Sequence, residues 1–147
     1  MKSLFFRFAG AIALCAVVGL LVTASMSKVW AHGDVIPQAV DITGLKPLGE
    51  EWLMENPYRG NETAIKIGSS AYHQNCARCH GLEVISGGIS PDLRFLETGK
   101  EGDEWYIQRV RKGFRQNGAT KMPAFEGIMQ QEAMWAIRAF IETKSED

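Results

Sequence analysis

Small and apolar residues recur at helical spacing between residues 61 and 76. Asn61 is a suitable N-cap residue, and Ala64, Gly68 and Tyr72 follow it at intervals of about one turn. A glycine inside a helix costs about 1 kcal/mol relative to alanine. Gly68 is therefore best explained by another helix that approaches closely at this position.

Two further amphipathic helices are predicted over residues 102–114, ended by Gly113, and over residues 130–144. The segments 81–97 and 115–129 are rich in glycine and contain prolines. No stretch alternates apolar and polar residues as a strand would. The pattern predicts an all-α domain with about three main helices, long loops and no internal repeat.

Residues 32–60 show neither helical periodicity nor the alternation of a strand for long. They contain Pro37, Pro47 and Pro57 together with four glycines. We interpret this segment as an irregular N-terminal arm. A disordered leader is the alternative. Apolar residues such as Trp52 favour an arm that docks on the domain, because a disordered segment is usually poor in such side chains.

Residues 1–31 have the pattern of a signal peptide. Lys2 and Arg7 precede an uncharged apolar run, and the sequence Val29-Trp30-Ala31 is a suitable cleavage site. We predict cleavage after Ala31 and export to the periplasm. An uncleaved membrane anchor is the alternative, since the apolar run approaches the roughly 18 residues that a membrane span needs. The predicted organisation is thus a signal peptide at 1–31, the arm at 32–60 and one domain at 61–147.

Cleavage would leave 116 residues, enough for one domain with a modest core. It would remove three basic residues and no acidic ones, leaving 13 Lys and Arg against 17 Asp and Glu. No run or stripe of basic residues is present, which argues against a nucleic-acid partner. Cleavage would also remove Cys15, so that Cys76 and Cys79 remain.

The sequence Cys76-Ala77-Arg78-Cys79-His80 is compatible with three chemistries: a redox disulfide, a zinc site and covalent attachment of haem. A structural zinc site needs four ligands, typically from two such pairs. A thioredoxin-like pair follows a strand and opens a helix, whereas this pair closes one. Loops as long as those predicted here are unusual in a compact domain unless they enclose a bound group. The pattern therefore favours one covalently attached haem c per chain, with His80 as the proximal iron ligand.

The predicted distal iron ligand is Met122, in the loop sequence "ATKMPAF". Pro123 fixes the backbone after it, and Phe125 is placed to cover the haem edge. Met122 could instead serve only as a loop anchor. Ligation by histidine and methionine raises the reduction potential and leaves no open position for a substrate, which favours electron transfer over catalysis.

Residues 61–144 resemble the class I cytochromes c. The resemblance rests on the spacing of Gly68, Tyr72 and Cys76, the haem attachment motif, the loops "GGISPDL" and "KMPAF", and an aromatic C-terminal helix. It implies that the first and last helices cross at Gly68. It also implies that the Pro91 carbonyl accepts a hydrogen bond from the ring of His80, which would orient that ligand. An ordinary turn proline is the alternative.

Within the same resemblance, Trp105 and Arg109 lie one helical turn apart and are candidates to contact the haem propionates. A core role for Trp105 and a solvated surface role for Arg109 are the alternatives.

The arm, with "HGDVIPQAV", "GLKPLGEEW" and "NPYRGN", resembles that of the small periplasmic cytochromes c-550 that serve quinoprotein (PQQ-dependent) alcohol dehydrogenases. This resemblance implies a soluble one-electron carrier, not an enzyme. Its donor would be such a dehydrogenase, and its acceptor a terminal oxidase or another cytochrome. No stable membrane association is expected once the signal is cleaved.

Two other functions stay open at this point. A haem-based sensor or small-ligand binder would need a distal ligand that is absent or easily displaced. The other is an enzyme, such as a peroxidase or a copper centre at a mature N-terminal His32. A copper centre would need a second histidine ligand, and His73 is more simply interpreted as an exposed helix residue. The state of the sixth iron ligand discriminates these functions from electron transfer.

Overall fold

The computed structural model describes residues 36–146. Within that range lie four α-helices, one 3₁₀ turn and two short strands: α1 Glu62–Asn75, α2 Ala77–His80, the 3₁₀ turn Leu93–Phe95, α3 Lys100–Lys112, β1 Phe114–Gln116, β2 Ala119–Met122 and α4 Gln131–Glu142. The predicted signal peptide and His32 lie outside the described residues. Among those that are described, no helix is long and apolar enough to cross a membrane.

Helix α1 begins where the sequence predicts. The side chain of Asn61 accepts a hydrogen bond from the backbone N–H of Ala64 at 3.0 Å, which satisfies one of the free donors of the first turn. At mid-helix, a Cβ atom added to Gly68 would lie 1.9 Å from the carbonyl oxygen of Ala136 in α4. The predicted crossing at Gly68 is confirmed, and only a residue without a side chain allows it.

Helix α4 forms the centre of the core. Ten of its 12 residues are buried, so it is enclosed on nearly every side rather than lying on the surface with one apolar face. The rings of Phe140 and Tyr72 pack with their centroids 5.3 Å apart. The hydroxyl of Tyr106 in α3 donates to the carbonyl of Met134 at 2.8 Å. Both α1 and α3 are thereby held against this helix.

A buried ion pair lies inside this packing. The Nε of Arg138 donates to a carboxylate oxygen of Asp103 at 2.8 Å, and neither side chain is exposed to solvent. The second oxygen of Asp103 accepts the backbone N–H of Asn56 at 2.8 Å and the guanidinium of Arg59 at 2.5 Å. The carboxylate is well supplied with donors, as a buried charge requires. It joins the arm to both α3 and α4.

The described part of the arm, residues 36–60, is packed on the helical domain. The amide of Gln131 donates to the carbonyls of Gly49 and Glu51 at 2.9 Å each. The backbone N–H of Leu48 donates to the carboxylate of Glu132 at 2.8 Å. Side chains from six arm positions are partly buried against the core: Val40, Ile42, Leu45, Leu48, Trp52 and Leu53. These contacts tie residues 36–60 to α4 and to the core.

The mostly helical fold is confirmed, but the short antiparallel hairpin of β1 and β2 was not predicted. Its first residue, Phe114, was expected to end the helix over 102–114, and the rest of the hairpin lies in the segment 115–129, for which a loop was expected. Phe114 pairs with Met122, with an irregularity in the register directly after Phe114. The two turn residues, Asn117 and Gly118, have φ angles of 51° and 77°. An Asn-Gly pair in this conformation is typical of a two-residue hairpin turn. The hairpin delivers Met122 at its end.

We expect Gly68→Ala to lower the stability of the protein by about 1–3 kcal/mol, because its methyl group must displace the backbone of α4. Thermal unfolding of the haem-loaded protein followed by circular dichroism measures this as a fall in Tm of roughly 10 °C. Gly87→Ala is the matched control, since nothing lies within 4 Å of a Cβ atom there. Equal Tm values for the two variants would contradict the account of the crossing.

Candidate functional site

A cleft of about 470 Å³ opens between the end of α1, α3, the hairpin and α4. Its volume lies within the range of about 300–1,000 Å³ that is usual for ligand sites. Apolar side chains supply most of its lining, among them Leu93, Val110, Phe125, Met129, Ile137 and Ile141. All seven predicted site residues line this same cleft: Cys76, Cys79, His80, Pro91, Trp105, Arg109 and Met122.

The two cysteines reach the cleft because the chain changes direction at the end of α1. The backbone N–H of Cys76 still donates to the carbonyl of Tyr72 at 2.7 Å, and the short helix α2 begins directly afterwards. The N–H groups of Cys79 and His80 then both donate to the carbonyl of Cys76, at 3.1 and 3.0 Å. This tight turn brings two thiols and one imidazole to the same wall.

The thiol of Cys76 is not activated as a redox nucleophile. Burial raises its pKa to about 12, and the nearby Cys79 adds to the shift. Reactive cysteines in redox pairs have a lowered pKa, which supplies the thiolate that attacks. The raised pKa argues against Cys76 as the attacking thiol of a redox pair.

The imidazole of His80 is oriented by the loop that follows it. Its Nδ1 lies 2.9 Å from the carbonyl oxygen of Pro91, as the resemblance implies. Because a carbonyl only accepts, the proton sits on Nδ1, and Nε2 keeps the lone pair that a metal ligand needs. Burial lowers the pKa of His80, which favours this neutral form, although the bond to Pro91 opposes the shift.

The carboxylate of Asp92 fixes the loop next to Pro91, a role that we did not infer from the sequence. It accepts the backbone N–H groups of Arg94 and Ser86, at 3.1 and 3.3 Å, and the guanidinium of Arg94 at 2.9 Å. The hydrogen bonds from Arg94 are the main reason that the pKa of Asp92 falls to about 2. The signal was available, since an aspartate before a short turn often binds the N–H two residues on.

Met122 is half-buried at the end of β2, and Pro123 follows it directly. Phe125 is 3% exposed and lines the cleft, as expected for a residue that covers a haem edge. Of the other methionines in the described residues, Met129 and Met134 are buried in the core, as expected, and Met129 also lines the cleft. Met54 lies in the arm and is 39% exposed.

Trp105 and Arg109 lie at the mouth of the cleft. Trp105 is 48% exposed and is not among the residues of the buried core cluster. The guanidinium carbon of Arg109 lies 5.0 Å from the centroid of the Trp105 ring and 4.5 Å from that of Phe114. Stacking between two aromatic rings restrains this cation beside the cleft.

The residues present fit a covalently attached haem. One wall carries two thiols and an oriented imidazole, and the cleft is also lined by the thioether of Met122. The apolar lining suits a flat macrocycle, and Arg109 and Lys121 are basic partners of the kind that its two carboxylates require.

Comparison with known proteins agrees with this fit. The family described as cytochrome C oxidase, cbb3-type, subunit III matches residues 63–141, more than half of the chain. A cytochrome c550 of Pseudomonas aeruginosa is 56% identical over 132 residues, which cover 85% of this chain and 91% of that protein. The chain therefore belongs to the cytochrome c family. It carries covalently bound haem c and is an electron carrier, not an enzyme.

More distant relatives are larger proteins. Quinohemoprotein alcohol dehydrogenase ADH-IIG of Pseudomonas putida is 30% identical over 92 residues, which make up 62% of this chain but only 12% of the dehydrogenase. The cbb3-type cytochrome c oxidase subunit FixP of Rhizobium etli is 34% identical over 84 residues, or 29% of that subunit. No solved structure matches the chain.

We expect the double variant C76S/C79S to lose covalently bound haem, because serine cannot form the thioether bonds. Denaturing gel electrophoresis with haem staining, together with the intact mass of the exported protein, measures this directly. Met122→Ala serves as the control and should keep its covalent haem. Staining of the double variant at the wild-type level would contradict the assignment of these two thiols.

Proposed function

We propose that this protein is an exported one-electron carrier that accepts electrons from a quinoprotein alcohol dehydrogenase and passes them to a terminal oxidase or another cytochrome. The similarity to a cytochrome c550 over most of both chains supports the carrier role. The weaker similarities to a segment of quinohemoprotein alcohol dehydrogenases and to a cbb3 oxidase subunit support these classes of donor and acceptor. Export rests on the signal-like residues 1–31.

Four side chains hold the haem in this proposal. Cys76 and Cys79 form the two thioether bonds, His80 is the proximal ligand, and Met122 is the distal ligand. When bound, the haem supplies a couple between ferric and ferrous iron that takes up one electron at a time. The shared position of these four side chains in one apolar cleft is the observation that carries the proposal.

The protein contributes orientation and exclusion of water. The hydrogen bond to Pro91 fixes the ring of His80, and such partners of a ligand tune the metal centre. The buried ring of Phe125 and the aliphatic side chains of the lining keep water from the cleft. With Met122 in place no ligand position is open, which separates an electron carrier from a haem-based sensor or small-ligand binder.

Transfer to a partner needs only a brief encounter. Interfaces between redox proteins are usually small, below about 1,200 Å² in total. Arg109 and Lys121 lie beside the cleft and give its mouth a locally positive character. This charge would steer an acidic surface of a partner toward the haem.

The proposed donor is tested by stopped-flow mixing of the ferric protein with a quinoprotein alcohol dehydrogenase already reduced by its alcohol. We expect rapid reduction of the haem, with a rate that rises with dehydrogenase concentration and falls with added salt. The same dehydrogenase without its quinone is the control. Haem reduction that is equally slow with both forms of the enzyme would exclude this donor.

A further inference from the structure

The loop that follows Met122 is tied to the last turn of α3. The backbone N–H of Phe125 donates to the carbonyl of Val110 at 3.1 Å, and that of Glu126 donates to the carbonyl of Arg111 at 3.3 Å. The last four carbonyls of a helix have no partner within it. The loop supplies partners for two of them, so its path follows the end of α3.

Gly113, directly after α3, sets how closely the two segments approach. Its φ angle is 68°, and a Cβ atom added there would lie 2.5 Å from the carbonyl oxygen of Met122. The backbone of the methionine is thus packed against the end of the helix.

The side chain of Arg111 reinforces the same connection. Its Nε and Nη2 donate to the two carboxylate oxygens of Glu126 at 3.1 and 2.9 Å, which is a bidentate pair. The hydrogen bonds from Arg111 lower the pKa of Glu126, which agrees with a formed ion pair. Arg111 is 17% exposed and Glu126 42% exposed, so the pair is not deeply buried.

Besides Glu126, Arg111 contacts a residue of the N-terminal arm. Its guanidinium carbon lies 3.9 Å from the centroid of the Trp52 ring, the shortest such distance in the described residues. A planar guanidinium can stack on an indole and still direct its N–H groups at a carboxylate. Arg111 therefore connects three segments: the arm, α3 and the loop after Met122.

We propose that the Trp52–Arg111–Glu126 contact, here called the arm clamp, is a positioning device for the distal ligand. Arg111 acts through Glu126 on the loop, and the docked arm holds Arg111 in place through Trp52. Loss of the clamp would let the loop open more often and release Met122 from the iron. This inference rests on the proposed role of Met122.

The rate of carbon monoxide binding to the ferrous protein measures how often the loop opens, because carbon monoxide enters only when the methionine has left. A weaker clamp raises the open population, and the observed rate rises by the same factor. We expect Arg111→Met and Trp52→Leu each to raise this rate by about 3- to 10-fold, in keeping with the strength of a cation–π contact.

The double variant R111M/W52L should bind carbon monoxide little faster than the faster single variant, because both changes remove the same contact. Glu126→Gln weakens the contact between Arg111 and the loop. It tests the clamp independently if Arg111→Met or Trp52→Leu matures poorly. Its rate should also rise, by a smaller factor, since hydrogen bonding is retained in part.

Two matched controls separate loss of the clamp from a change in local charge and from a loss of overall stability. Lys112 is exposed and lowers the pKa of Glu126 through space, yet it forms no salt bridge within residues 36–146. Lys112→Met therefore removes a nearby positive charge without touching the clamp. Ile67→Ala removes a partly buried side chain of α1 and lowers general stability without changing a residue of the arm. Neither control should change the carbon monoxide rate by more than about twofold.

Clamp variants that bind carbon monoxide at the wild-type rate would overturn the proposal. An Ile67→Ala protein that binds carbon monoxide as fast as the clamp variants at equal loss of Tm would also overturn it. A wild-type protein as fast as Met122→Ala would overturn the proposed distal ligand, and the clamp with it. Slow wild-type binding with unchanged clamp variants would leave the proposed function standing and reject the clamp alone.

Discussion

The contact between Gly68 and the carbonyl of Ala136 governs how the rest of the molecule is arranged. It lets α1 cross α4 at backbone distance, and the adjacent aromatic pair Tyr72–Phe140 fills the space beyond the crossing. The end of α1 then lies against the core, which is where the two cysteines and His80 must be if they are to face the cleft. A side chain at position 68 would separate the helices and move all three groups.

The remaining parts of the site depend on segments with little regular structure, each held by a few polar contacts. Asp92 fixes the turn that carries Pro91 and therefore the ring of His80. The hairpin and the last turn of α3 fix the segment that carries Met122. The buried pair Arg138–Asp103 joins α3 to α4. Long loops can thus present ligands to a haem without a large protein core.

Much of this could be predicted from the sequence, because the signals were local. The cap at Asn61, the end of α3 at Gly113 and the attachment motif each depend on residues close together in the chain. The hairpin was missed although Asn117-Gly118 is a strong turn signal, since its strands are short and mostly exposed and so carry no alternation of apolar residues. The burial of Arg138 and the stacking of Arg111 on Trp52 were also missed. Both depend on residues far apart in sequence, and a charged residue within a helix is usually solvated.

The most direct test of the central claim is the visible absorption spectrum of the ferric haem-loaded protein, recorded beside that of Met122→Ala. The wild type is expected to show the weak far-red band of methionine-ligated haem, and the variant is expected to lack it. A wild-type protein without that band would contradict the closed His80–Met122 site. A haem-based sensor or small-ligand binder would then be better supported than an electron carrier.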